Sequence, residues 1–306
     1  MIPIPLIPAC RPRQWPKNLL VYASALFSFR SDPQIWLNST VALVSFCLIS
    51  SAIYLVNDVI DVEADRAHPS KCRRPIASGA LPVPFALAAA AVLFCVSLAF
   101  AASLSPGLAG VILAYALIQV AYCLQLKRQP LLDIFCIASG FLLRALAGLV
   151  ATGLGASPWF LLTIGLLALF LAVEKRKAEL RISIERGVVT RQVLMRYSLP
   201  LLQRLESLVA SSAFMAYALW SAGPTLKGAP TSWMLLSVPF VLVGIFRYQL
   251  LSDPEESERR AGANPDQTTE KPEEILLGDR GIHLTLLCWL LSVVVVGMGH
   301  RQGWLT

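Results

Sequence analysis

Charge is what this chain of 306 residues has least of: Asp, Glu, Lys and Arg make up 15% of it, against 56% hydrophobic residues. Soluble domains carry about 25% charged and about 45–50% apolar residues. The shortfall excludes an ordinary soluble domain. It is the one a bilayer imposes, because an ionisable side chain at its centre costs several kcal/mol. Histidine is scarce as well: His68, His283 and His300 are the three present, and their spacing fits neither a catalytic triad nor a zinc site. The seven cysteines form no CxxC pair and read as small apolar residues within spans rather than as a disulfide framework. No basic module interleaved with aromatics occurs, so a nucleic-acid partner is not expected. The opening MIPIPLIPACRPRQWPKN puts prolines where a signal peptide needs an unbroken apolar core, so no cleaved signal is expected.

What the chain does have is long apolar runs. A helical span takes about 20 such residues, and about nine runs qualify: roughly 18–33, 36–57, 84–103, 107–125, 131–153, 157–174, 198–222, 232–250 and 283–299. The first is short. Residues 252–282, rich in Glu, Pro, Asn and Gln, are the one long polar segment and are expected to form a loop within a single domain covering 1–306. With the N-terminus in the cytoplasm, nearly every Lys and Arg falls on the cytoplasmic side, and only Arg30, Lys227 and Arg301 fall outside. That partition obeys the positive-inside rule. The net charge of +7 then sits on one face, where anionic lipid attracts it. The expectation is an all-α, multi-pass protein of the inner (plasma) membrane with a cytoplasmic N-terminus.

Directly behind the second run stands NDVIDVEADRAHPSKCRRP, residues 57–75. Asp58, Asp61 and Asp65 follow an i, i+3, i+7 spacing, which on a continuous helix puts them within about 60° of one another. Asn57 adds an amide oxygen on an adjoining edge, and Glu63 points elsewhere. Three like charges on one face raise each other's pKa unless a cation neutralises them. Oxygen-only ligands without His or Cys suit Mg²⁺, which binds through one or two carboxylates plus substrate phosphates. A merely solvated acidic helix end is the plainer reading, but it gives no reason for three carboxylates in register beside a hydrophobic span. Lys71, Arg73 and Arg74 follow and are suited to phosphate oxygens, although topology alone also explains basic residues there. Arg144 lies inside a span and therefore pairs with something or faces a polar cavity. Asp133 and Asp279 are the candidate structural partners.

The pattern NDxxDxxxD after the second span, followed by RPIASG, resembles the UbiA superfamily of intramembrane prenyltransferases. The resemblance runs over essentially the whole chain and implies nine helices around a central cavity open to the cytoplasm. It also implies that Asn57, Asp58, Asp61 and Asp65 hold Mg²⁺ and a diphosphate. Most members carry a second aspartate motif after the sixth helix, where this chain reads AVEKRKAELR, residues 172–181, with no aspartate. That stretch looks like one branch of the superfamily, the transferases of phosphoribosyl groups to polyprenyl phosphate. RPRQWPKN, LDIFCIASGFLLRALAG and PEEILLGDR resemble the same branch, although it commonly has glycine where Glu174 stands. The resemblance implies substrate-binding roles for Gln14, Lys17, Asn18, Tyr54, Lys71, Arg73, Arg74, Arg144, Lys175, Arg176, Glu179, Arg247 and Asp279, beside the catalytic Asp58, Asp61 and Asp65.

Phosphoribosyl diphosphate carries phosphate at both ends and needs two anion sites. The Mg²⁺-carboxylate site suits the diphosphate, and Lys175 and Arg176, with Lys17 or Arg144, suit the 5-phosphate. The acceptor, a polyprenyl phosphate, is already anionic and needs no base. Two other readings stay open: an aromatic prenyltransferase using a prenyl diphosphate, and a transporter whose aspartates are an ion site. Homo-oligomerisation is left open by the sequence.

Overall fold

The computed structural model describes residues 5–68, 71–155, 157–185, 192–253, 256, 259 and 278–304. Among these residues every regular element is helical. The main helices are α1 (Pro33–Ile60), a five-residue α2 after a break (Val62–Arg66), α3 (Val83–Leu104), α4 (Pro106–Leu124), α5 (Leu132–Thr152), α6 (Pro158–Glu185), α7 (Leu199–Ser221), α8 (Val238–Leu251) and α9 (Arg280–Arg301). Among the described residues, seven helical stretches are long and apolar enough to cross a membrane: α1, α3, α4, α5, α6, α9, and α8 together with the turn of 3₁₀ helix ahead of it. α7 has the length but takes Gln203, Arg204 and Glu206 into its first turns. The first expected span differs most. Residues Pro12–Tyr22 form 3₁₀ helix with Pro16 inside, followed by only Ala23–Phe27 as α-helix, because proline removes a donor and breaks the i→i−4 ladder. Most of the expected loop 252–282 lies outside the described residues.

Local chemistry sets the boundaries. Asp32 caps α1 by accepting from the Gln34 N–H at 2.9 Å, ahead of Pro33. Ser105 ends α3 and caps α4 through the Leu108 N–H at 3.1 Å, with Pro106 next. Both use an N-cap acceptor and a first-turn proline whose missing N–H costs nothing there. Hydroxyls inside the spans, such as Ser39, Ser45, Thr152 and Thr163, donate to carbonyls four residues back, which satisfies them without water. Large apolar side chains such as Val92, Leu117, Leu284 and Val295 stay exposed. In a bilayer these surfaces meet lipid tails.

The chain divides into two compact units. One comprises Met1–Gln129 with Ser139–Gly155, the other Pro130–Ala138 with Ala156–Thr306. In the first, α1 packs along α3, and Phe46, Ile49, Leu108, Ile112, Tyr115 and Ala147 form its core. A smaller cluster of Leu55, Ile76, Leu81, Ala86 and Ala90 folds the 71–82 loop under the end of α1. The N-terminal segment inserts Val21 into the main core, and Gly148 of α5 permits that approach. A Cβ at Gly148 would stand 2.0 Å from the Val21 carbonyl oxygen. Gly148→Ala is therefore expected to push the backbone of this segment away, at an overpacking cost of about 1–3 kcal/mol. The check is a thermal scan of purified protein, with a fall of roughly 2–4 °C per kcal/mol for a domain this size. In the second unit α6 packs along α7, and Phe170, Ala210, Ile245, Tyr248, Leu251 and Ile282 form a core.

Candidate active site

The acidic motif sits where α1 ends. Asp61 leaves helical geometry (φ −92°, ψ 9°) and is at once the C-cap of α1 and the N-cap of α2. The helix is thus broken in the middle of the expected one-faced array. Asp58 and Asp65 nevertheless meet: Arg74 donates one Nη1 to Asp58 at 3.1 Å and to Asp65 at 2.6 Å. Asp58 also accepts from Arg11 Nη2 at 2.5 Å, and Asp61 accepts from Lys127 Nζ at 2.5 Å. Asp58 is 3% exposed, whereas the Asp61 side chain is 31% exposed. Glu63 turns outward and pairs with Arg66. Tyr54, one turn above Asp58, carries the Arg11 guanidinium 4.9 Å from its ring centroid.

No group of three His, Cys, Asp or Glu side chains converges as a ready metal site among the described residues. The donors still fit a hard divalent ion. One cationic nitrogen already lies between the Asp58 and Asp65 carboxylates, and Mg²⁺ typically takes only one or two carboxylates, keeping water and phosphate for its other positions. Asn57 precedes that pair in sequence and Asp61 lies between its two members. Lys71 and Arg73 form one 3₁₀ turn just before Arg74.

A second constellation lies deeper in the same unit. Asn18 is buried; its amide donates to Cys47 Sγ and Ser50 Oγ, both at 3.3 Å, and its Oδ1 accepts from Arg144 Nε at 2.6 Å. Arg144 also reaches the Tyr115 hydroxyl at 3.3 Å and lies over the rings of Phe46, Tyr115 and Phe141. It is 6% exposed, and its partners are neutral. Asp133 and Asp279, the alternative partners that the sequence offered, belong to the second unit, where Arg176 pairs with one and Arg247 with the other. Gln14 and Lys17 are half-buried on the same N-terminal segment, where Trp15 Nε1 holds Ser51 Oγ at 3.1 Å.

The sites expected in the second unit are engaged internally. Arg176 is fully buried and pairs with Asp133 and Glu179, each at 2.5 Å, so a phosphate role for it would require opening both pairs. Tyr197 donates to the same Asp133 at 2.7 Å and accepts from the Leu131 N–H. Burial pushes its hydroxyl pKa up, which keeps it a neutral donor. Lys175, next to Arg176 in the chain, is half-buried. Arg247 binds Asp279 with Nε and Nη2 at 3.1 and 3.0 Å, while Asp279 caps α9 through the Ile282 N–H. A Cβ at Gly281 would meet Arg247 Nε at 2.8 Å, so glycine leaves room for the fork. The buried cluster in which Lys177 links Glu174 to Glu206 was not expected, nor were Arg11 and Lys127 as partners of the aspartates. The i, i+3 spacings Glu174/Lys177 and Arg176/Glu179 were the available signal for pairing within α6.

Seven lipid-compatible helices, with carboxylates and cations gathered at the mouth of α1, define an all-α, multi-pass membrane protein. The chain belongs to the UbiA prenyltransferase family, whose model matches residues 18–268. It is similar to the decaprenyl-phosphate phosphoribosyltransferase of Mycolicibacterium smegmatis, 39% identical over 301 residues that cover 94% of this chain and 91% of that protein. The protein of the same name from Mycobacterium tuberculosis is 39% identical over 294 residues, covering 94% of this chain and 92% of its own length. Among solved structures, a UbiA homologue from Archaeoglobus fulgidus bound to GPP and Mg²⁺ superposes with a TM-score of 0.69. It covers 95% of this chain and 98% of that one at 16% identity, a likeness of fold.

Proposed function

We propose that this protein transfers the 5-phosphoribosyl group of phosphoribosyl diphosphate to a polyprenyl phosphate of decaprenyl type and releases diphosphate. The observation that carries this reading is the near-full-length similarity to two decaprenyl-phosphate phosphoribosyltransferases. The arrangement within the first unit supports it. Asp58 and Asp65, with Asp61 and Asn57, would hold Mg²⁺, which when bound neutralises the departing diphosphate and keeps it in line. Arg74, Lys71 and Arg73 take phosphate oxygens beside it. Arg144, a buried cation whose partners are neutral, takes the 5-phosphate, steadied by Asn18 with Lys17 and Gln14 on the same segment. Ser50, which Asn18 also holds, precedes Asp58 by eight positions on α1, about 12 Å at 1.5 Å per residue. In this reading the ribose and its two phosphate groups would have to span that separation.

The bond from ribose C1 to the diphosphate oxygen breaks with its electron pair on the leaving group. The bond from a polyprenyl phosphate oxygen to C1 forms. That oxygen is already anionic, so the protein's residues orient and neutralise rather than remove a proton. Lys175, Arg176 and Glu179, and the Arg247–Asp279 fork, keep proposed substrate roles on the sequence resemblance alone. The cationic partition along the chain supports a plasma-membrane location with the N-terminus and site on the cytoplasmic side.

The test is incubation of the purified protein with radiolabelled phosphoribosyl diphosphate, decaprenyl phosphate and Mg²⁺. The expected product is a labelled acidic lipid that forms only with all three present. A parallel incubation with a prenyl diphosphate and an aromatic acceptor should yield nothing; the reverse outcome would replace this reading with aromatic prenyl transfer.

A further inference from the structure

Each aspartate of the motif is held by a cation from elsewhere in the chain. Arg11 lies 47 positions from Asp58, Arg74 lies 16 from it, and Lys127 lies 66 from Asp61. Three carboxylates and three cations leave the cluster close to neutral. A divalent ion seated between Asp58 and Asp65 would take the place where Arg74 Nη1 now bridges one oxygen of each carboxylate. Mg–O contacts of about 2.0–2.1 Å leave no room for a nitrogen at 2.6 and 3.1 Å, and two cations at one point repel. The side chains of Arg11 and Arg74 are largely covered, 27% and 28% exposed. Once off the carboxylates they need another anion. Arg11 is also held in the left-handed region, φ 53° and ψ 61°, which costs a non-glycine residue about 1–2 kcal/mol. Backbone strain at the residue whose side chain reaches Asp58 belongs with a positioning role.

We infer that Arg11, Arg74 and Lys127 act as an exchangeable set, holding the aspartates until metal arrives and moving to the diphosphate that accompanies it. The inference rests on the reading that the aspartates hold the metal. Its consequence is mutual dependence. Metal alone is opposed by three cations competing for its ligands, and diphosphate alone meets three aspartates. Together they restore neutrality, so each tightens the binding of the other by the same factor. Arg11 and Lys127 are then positioning residues for the metal as well as cations for the donor.

The experiment measures protein-bound Mn²⁺, by equilibrium dialysis and electron paramagnetic resonance, on the full-length protein in nanodiscs with and without inorganic diphosphate. Wild type should bind Mn²⁺ at least about tenfold more tightly with diphosphate present. Lys127→Gln should tighten Mn²⁺ binding in the absence of diphosphate and shrink that ratio, with Arg11→Gln moving the same way. Lys127→Arg, which keeps the charge, should retain the wild-type ratio and also controls for folding. An unchanged affinity for Mn²⁺ alone in Lys127→Gln and Arg11→Gln would overturn the exchange while leaving the metal site standing. Undiminished Mn²⁺ binding in Asp58→Asn would instead remove the aspartates as metal ligands, and the exchange with them.

Discussion

Asp58→Asn is expected to leave the protein folded and to lower turnover by about 10³-fold or more, a loss of about 4 kcal/mol of transition-state stabilisation. Asparagine keeps the volume of a nearly fully buried side chain and one oxygen for the hydrogen bonds that Arg11 and Arg74 now make to it. It removes the charge that the metal and both guanidiniums use. Alanine is the poorer test, because it also deletes the acceptor of Arg11 and leaves Arg74 with Asp65 alone, so loss of folding could be mistaken for loss of the metal site. Raising Mg²⁺ should not rescue the asparagine variant, since one of two carboxylates between which the ion would sit is gone. Glu63→Gln is the matched control: Glu63 is exposed and paired only with Arg66, and exposed pairs contribute little, so its turnover should equal wild type. Initial rates with labelled donor across a Mg²⁺ series, beside thermal scans, separate the two. Near-normal turnover in Asp58→Asn would take Asp58 out of the metal site.

How much of this was legible beforehand depends on which interactions are local. The apolar runs from 36 onward correspond to α1 and the helices after it, because periodicity and length are properties of the run itself. The 16-residue first run did not become one long helix; Pro16, already visible in the sequence, accounts for it. The aspartates were legible by spacing, yet the break at Asp61 was not, since a cap depends on the backbone entering the next turn. Partners from distant segments were out of reach. Arg11 and Lys127 read as topology-setting cations, and only the fold brings them to Asp58 and Asp61. For Arg144 the sequence left two readings, a substrate phosphate or a pairing with Asp133 or Asp279, because a buried cation calls for an anion. The structure gives Asp133 to Arg176 and Asp279 to Arg247. In the KRKAEL stretch the charges suggested substrate phosphate, and the helical i, i+3 register also pairs Arg176 with Glu179 and Lys177 with Glu174.

Arg144→Met carries the second large effect and turns on that unexpected neutrality. A buried arginine bound to a carboxylate cannot be truncated without stranding the carboxylate. Arg144 is bound to Asn18, Tyr115 and three ring faces, so its removal strands no charge. Methionine fills the aliphatic stem's path and packs well against aromatics. The Asn18 Oδ1 loses its donor, at about 1–3 kcal/mol, and relief from holding an unbalanced cation among apolar groups offsets that loss. The melting temperature should therefore stay within a few degrees of wild type. If Arg144 takes the 5-phosphate, a desolvated charge pair worth about 2–5 kcal/mol disappears. The KM for phosphoribosyl diphosphate should then rise about 10²-fold or more, while the KM for polyprenyl phosphate holds. Arg144→Lys keeps the charge but not the fork that reaches Asn18 and Tyr115 together, so it should fall between the two. A purely structural arginine gives the opposite pattern: a large fall in melting temperature, an unchanged KM for the sugar, and rescue of stability by lysine. The pair of measurements thus decides whether the cation buried in α5 is there for the protein or for the anion it binds.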